Sequence, residues 1–219
     1  MNKTLLINAS PRQKGTSVIL LRMCADYLKE KGQDTELIHL YPNLRNPEQL
    51  YHAFGEADTI VLGGPCYINT YPADTLYLLQ EISKHTEFLH GQRLYGIIQG
   101  GMPYAHTHES GLSMLELFCK KTGLQYNGGF VQGMGAALNG KPVSALPHSR
   151  KILRQLHIFF SHIEKGEASM RKVYEDAQLK LPAFLFGLMA KLMNRSIDTD
   201  LKKHGIDNAQ QSPYMTMDI

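Results

Sequence analysis

Between Asn8 and Ser17 the sequence NASPRQKGTS sets two cations, Arg12 and Lys14, among the hydroxyls of Ser10, Thr16 and Ser17. A plain connection needs only a Gly or an Asn, so this composition suits an anion. An amphipathic run opens at Thr16, which places Thr16 and Ser17 at a helix N-terminus. There backbone N–H groups lack intrahelical partners and the dipole is positive. The hydroxyls of Ser10, Thr16 and Ser17 can donate to phosphate oxygens, and Arg12 can add a charge-assisted bond. Thr16 is also a good N-cap, a role that leaves Arg12 and Lys14 unexplained. The turn has neither GxGxxG nor GxxxxGK[ST], which disfavours a dinucleotide fold or a Walker-type NTPase and leaves a monophosphate.

Two further stretches carry the same kind of residue. GGPCYINTYP begins at Gly63 and QGGMPYAHTHE begins at Gln99. Pro65 stiffens the first of these turns. Tyr67 can stack on a flat ligand or pack over its own loop. Cys66 reads as a small apolar filler or as a redox-sensitive thiol. His106, His108 and Glu109 have a spacing open to a metal, although they read more simply as polar loop residues, and no metal is expected. Tyr104 and His106 are candidates for a substrate pocket. None of these side chains is named as catalytic.

The elements that must position these residues follow from periodicity. Short apolar runs at 4–9, 34–40, 58–64, 93–100 and 124–133 read as strands. Helical patterns at 16–31, 47–54, 72–85, 109–122 and 149–163 alternate with them. Gly32 falls just past the first helix, where a left-handed cap is common. Regular β-α alternation predicts a parallel sheet with helices on both faces and right-handed crossovers. In such a sheet a ligand sits beyond the carboxyl ends of the strands, where strand order reverses. The three unusual stretches are the ends of the first, third and fourth strands.

Alternation stops near residue 165, which predicts one α/β domain over 1–165 and a helical extension over 166–219. The extension places large apolar residues at 181, 184, 185, 186, 188, 189, 192 and 193, too many for one narrow helical stripe. That segment, including Met189 and Met193, is expected to pack on the domain or at a two-fold dimer contact. Its apolar stretch falls short of the ~20 residues that span a bilayer. The start, MNKTLLINAS, turns polar too early for a signal peptide. A formal net charge of +3, with no basic stripe among aromatics, excludes nucleic acid as an expected partner. The isolated Cys24, Cys66 and Cys119 suit a reducing compartment. A cytoplasmic protein without a membrane span is therefore expected.

NASPRQKGTS followed by GGPCYINTYP and then QGG resembles the flavodoxin-like NAD(P)H-dependent oxidoreductases, the group of NADPH-dependent FMN reductases and quinone reductases. The resemblance covers roughly residues 3–165. It implies a three-layer αβα sandwich with a five-stranded parallel sheet in the order 2-1-3-4-5, FMN as cofactor and NAD(P)H as co-substrate. It implies that Ser10, Arg12, Thr16 and Ser17 hold the phosphate and that Pro65, Cys66, Tyr67, Ile68 and Asn69 border the isoalloxazine ring. Gly100 and Gly101 would let backbone approach the ring's pyrimidine edge. Ala9 stands where the family often has Gly. The cysteines that bind an iron–sulfur cluster in some relatives are missing here before the third strand. The implied reaction carries hydride from NAD(P)H through FMN to a small-molecule acceptor: a quinone, a flavin, an azo dye or a nitroaromatic. A flavodoxin-type electron carrier and a non-catalytic interaction protein on the same scaffold are the alternatives.

Overall fold

Leu5, Leu6 and Ile7 are wholly buried, as are Ile60 and Val61, because their strands lie mid-sheet with helices over both faces. The computed structural model describes residues 2–146, 148–179 and 183–206. Of Ala183, Phe184, Phe186, Met189 and Met193 it describes only the backbone. The strands are β1 (Lys3–Asn8), β2 (Asp34–His39), β3 (Thr59–Pro65), β4 (Arg93–Gln99) and β5 (Gln125–Gln132). All pair in parallel in the order β2-β1-β3-β4-β5. This is the expected flavodoxin-like sheet.

The helices of the first unit are α1 (Thr16–Glu30), α2 (Leu40–Asn43), α3 (Glu48–Glu56), α4 (Ala73–Ile82), α5 (Glu109–Thr122), α6 (Gly135–Leu138), α7 (Ser149–Lys165) and α8 (Arg171–Glu175). Helix α1 packs across the four strands β1 to β4 and against α7, while α5 covers β4 and β5. Past α1, Gly32 takes φ +76° and its N–H bonds the Lys29 carbonyl at 2.9 Å, the expected left-handed ending.

The first compact unit runs to Leu179, so the boundary expected at 165 falls inside it. The reason is the free edge of β5, which residues 166–179 cover. Ser169 N–H donates to the Asn127 carbonyl at 2.8 Å. The Gln178 amide then completes the edge as a strand would: its Nε2 donates to the Val131 carbonyl at 2.8 Å and its Oε1 accepts from Gly133 N–H at 3.2 Å. An exposed edge strand is a template for unwanted pairing, and this segment removes it.

The second unit, residues 180–219, contains α9 (Ala183–Lys203). Gly205, at φ +77°, ends that helix with the Ile206 N–H on the Leu201 carbonyl at 2.9 Å. The expected packing of segment 181–194 rests partly on residues outside the described set.

Between Leu94 and Gly96 the β4–β5 register shifts by one residue on β5, a bulge that Gly128 absorbs at φ +92°. A Cβ on Gly128 would lie 2.2 Å from the Ser169 carbonyl oxygen. Gly128→Ala should therefore cost about 2–3 kcal/mol of stability. Urea unfolding of the variant against the parent checks it, and an unchanged midpoint contradicts the edge seal.

Candidate functional site

Asn8 ends β1 fully buried, and its side chain starts the turn: Oδ1 accepts from Ser10 N–H at 3.2 Å. Ser10 Oγ in turn accepts from Arg12 N–H at 3.2 Å. The chain reaches α1 through Gly15, an extended N-cap residue whose position supplies no side-chain cap. The N–H groups of the first helical turn therefore open towards this corner, as an anion requires.

A cavity of about 560 Å³ lies there, bounded by Ser10, Arg12, Thr16, Pro65, Tyr67, Gln99, Ala136, Asn139 and the stretch 13–15. The fold thus brings together Ser10, Arg12, Thr16, Pro65 and Tyr67 from the residues expected at the site. Ser17 is not on the wall: it is fully buried and its Oγ accepts from Gln99 Nε2 at 3.4 Å. Thr16 is not the N-cap. Its hydroxyl donates to the Gly135 carbonyl at 2.8 Å and ties α1 to the loop after β5.

The end of β3 is a tight hairpin. Tyr67 and Thr70 pair in antiparallel fashion, with Tyr67 N–H on the Thr70 carbonyl at 2.7 Å. The two residues between them, Ile68 and Asn69, take φ +50° and +68°. Those angles fit a primed two-residue turn, in which a β-branched residue is strained by about 1–3 kcal/mol. Ile68 is 97% exposed and Tyr67, which borders the cavity, is half exposed, so the hairpin ends in an apolar tip. Ser110 Oγ donates to the Asn69 carbonyl and braces the tip from α5. Cys66 lies behind it, half-buried, with its Sγ 3.8 Å from the Thr107 carbonyl. Burial pushes this thiol up, away from a reactive thiolate. Cys66, Ile68 and Asn69 do not line the cavity.

At the end of β4 the two glycines differ. A Cβ on Gly100 would sit 2.3 Å from the buried His108 ring, whereas one on Gly101 would meet nothing closer than Ala136 Cβ at 3.8 Å. Gly100 is therefore required by His108, whose Nε2–H donates to the Met102 carbonyl at 3.1 Å. Gly101 does not line the cavity but lies next to Ala136, which does. Tyr104 and His106 stack on one another at 5.4 Å, away from the cavity wall. Glu109 pairs with Arg171 at 3.1 Å. Among the described residues no three His, Cys, Asp or Glu side chains gather as for a metal ion.

Two parts of the wall are new. Gln99, the last residue of β4, is 8% exposed, and its Oε1 has no hydrogen-bond partner among the described residues. The loop 133–140 supplies Ala136 and Asn139, with Asn139 Oδ1 3.5 Å from Arg12 Nη1. Its glycines, beside a strand end on the same edge of the sheet, are the signal that marks it. Met134 and Asn139 are left-handed at φ +56° and +44°, and the loop they shape reaches the Ser10–Arg12 turn at Arg12.

Residues 2–102 match the family model described as NADPH-dependent FMN reductase. The matched stretch contains the Ser10–Arg12 turn, the Tyr67–Thr70 hairpin and Gly100–Gly101, and it leaves loop 133–140 outside. No curated protein matches the chain in sequence. Among solved structures, an NADH:FMN oxidoreductase in its apo form is 18% identical, with a TM-score of 0.60 over 80% of this chain and 95% of its own. A flavone reductase is 12% identical, with a TM-score of 0.62 over 97% and 94%. An NAD(P)H:quinone oxidoreductase from Methanothermobacter marburgensis is 16% identical, with a TM-score of 0.57 over 74% and 96%. At these identities the likeness is one of fold.

The two glycines give a direct comparison. Gly100→Ala should cost about 2–3 kcal/mol through the His108 clash, whereas Gly101→Ala should stay within about 0.5 kcal/mol. Chemical denaturation of both variants measures the difference, and equal costs contradict the assignment.

Proposed function

We propose that the chain is an FMN-dependent NAD(P)H oxidoreductase whose second substrate is a flat aromatic acceptor: a quinone, a flavin, an azo compound or a nitroaromatic. The observation that carries this reading is the meeting of an anion-ready turn and an aromatic-edged cavity at the reversal of strand order. The donor set fits the cofactor. Arg12 and the open N-terminus of α1 suit a phosphate monoester, and a cavity of about 560 Å³ bounded by Pro65 and Tyr67 suits a ring joined to it. Bound there, FMN supplies hydride acceptance from NAD(P)H and electron delivery to the second substrate.

The chain's own residues bind and orient. Ser10 Oγ already accepts Arg12 N–H, which leaves the serine hydroxyl proton for a phosphate oxygen. Arg12 is exposed and held only loosely by Asn139, so its guanidinium is available for a charge-assisted pair. Thr16 contributes chiefly by fixing the Gly135 loop as the far wall. Pro65 and Tyr67 present the apolar border, and Gly101, next to Ala136 of the wall, is proposed to let a ring edge approach. Cys66, Ile68, Asn69 and Gly100 support this border from behind or from the rim. Tyr104 and His106 are proposed to influence acceptor choice from outside the cavity.

A homodimer belongs to the same reading. The apolar positions of α9 exceed one stripe, and a two-fold contact is the commonest way to cover such a helix. The intact chain should sediment as a dimer at micromolar concentration and Leu185→Glu should shift it towards monomer. A monomeric parent contradicts this part alone.

The cofactor assignment has its own test. Hydrogen bonds to charged groups are worth about 1.5–3 kcal/mol, so Arg12→Ala should weaken FMN binding about tenfold or more. Riboflavin, without the phosphate, should bind poorly and respond little to the same change. Titration of apoprotein with both ligands decides, and equal affinity for the two contradicts the phosphate site.

A further inference from the structure

The side chains of Asn8 and His39 are joined at 2.8 Å between Asn8 Nδ2 and His39 Nδ1. His39 ends β2 and pairs directly with Asn8 across the sheet. The direction of this bond is fixed by its neighbour. Ser10 N–H can only donate, so the Asn8 atom that meets it at 3.2 Å is the oxygen. The Asn8 amide NH₂ must then face His39, and an NH₂ requires an acceptor. His39 Nδ1 is therefore bare, with the ring proton on Nε2.

We infer that His39, in its neutral Nε2–H form, is a positioning residue for the cofactor phosphate, acting through Asn8 on the Ser10–Arg12 turn. This rests on the proposed FMN site and names what holds that site in shape. The relay is continuous: His39 Nδ1 accepts from Asn8, Asn8 Oδ1 accepts from Ser10 N–H, and Ser10 Oγ accepts from Arg12 N–H. With Asn8 fully buried, its amide has no water to turn to, so it keeps this orientation only while His39 offers a lone pair. A protonated His39 presents N–H to NH₂. Asn8 must then rotate and turn its own NH₂ on Ser10 N–H, which opens the turn.

The surroundings of the ring favour the neutral form. Partial burial and the positive charge of Arg22, on α1, both hold His39 below the ordinary histidine range. From α2, Asn43 Nδ2 donates to the His39 carbonyl at 2.8 Å and fixes the backbone beside it. The sign follows from linkage. With its folded pKa lowered, His39 contributes fully above the unfolded value near 6.5, and its contribution is lost as pH falls through the folded pKa.

The test uses the full chain as apoprotein, titrated with FMN and with riboflavin at pH 7.5 and at a lower pH where the imidazole nitrogen spectrum shows His39 protonated. His39→Asn keeps an acceptor near the Nδ1 position but cannot gain a proton in this range; His39→Leu removes the acceptor. At pH 7.5 His39→Asn should bind FMN like the parent, and His39→Leu should bind about three- to tenfold more weakly, the worth of one ordinary hydrogen bond. Between the two pH values the parent should lose more FMN affinity than His39→Asn. The loss common to both belongs to the phosphate's own ionisation near pH 6. Riboflavin affinity should be alike in all three proteins. Full FMN affinity in His39→Leu, or equal pH losses in parent and His39→Asn, overturns the inference.

Nitrogen NMR of the imidazole gives a reading that needs no ligand. A bare Nδ1 at neutral pH supports the relay and a protonated Nδ1 overturns it. If the parent binds no FMN at either pH, the cofactor reading fails while this spectrum still judges the Asn8–His39 pair.

Discussion

The site depends on one constraint of sheet order. From β1 the chain crosses to β2 on one side and then to β3 on the other, so the loops leaving β1 and β3 diverge and a crevice opens at their carboxyl ends. Because β1 is buried on both faces, Asn8 reaches that crevice with no solvent around it. Its amide can be satisfied only by the strands and turn beside it, and it uses His39 on one side and Ser10 on the other. The cation-bearing turn inherits its shape from that buried amide. Helix α1 then starts at the turn and runs back across the sheet, which aims its free N–H groups into the same crevice.

From this corner the rest of the wall is assembled by ties distant in sequence. Thr16 holds Gly135, Gln99 holds Ser17, and the Cys66 N–H bonds the Gln99 carbonyl at 2.7 Å. Three strand ends and the loop after β5 are thus linked around one cavity. The strain at Ile68 belongs to the hairpin that brings Tyr67 to the wall: its primed turn keeps the apolar tip exposed.

Strand order and the place of the cation-bearing turn beside the cavity were legible because each has a local signature. Doubly covered parallel strands read as continuous apolar runs, and an anion turn reads as hydroxyls and cations before a helix. Features made by distant contacts had no such signature. Ser17 looks like a phosphate ligand until Gln99, from another strand, is seen to take its hydroxyl inward. Gly100 looks like room for a ring until the buried His108 is placed against it. The edge of β5 is closed by the Gln178 side chain, so the folded unit outlasts the β-α alternation and ends at Leu179 rather than 165. Loop 133–140 carries glycines like the other strand ends, but its contacts with Thr16 and Arg12 join residues more than a hundred positions apart.

The central claim is that this crevice passes electrons from a nicotinamide to a second substrate, and anaerobic reduction tests it most directly. The FMN-loaded chain is mixed with NADPH or NADH in the absence of oxygen and its visible flavin absorption is followed. The account predicts bleaching within seconds by at least one nucleotide, and recovery when a quinone is added. An oxidised spectrum that neither nucleotide changes, but that a chemical reductant bleaches, would contradict it and leave an electron carrier in its place.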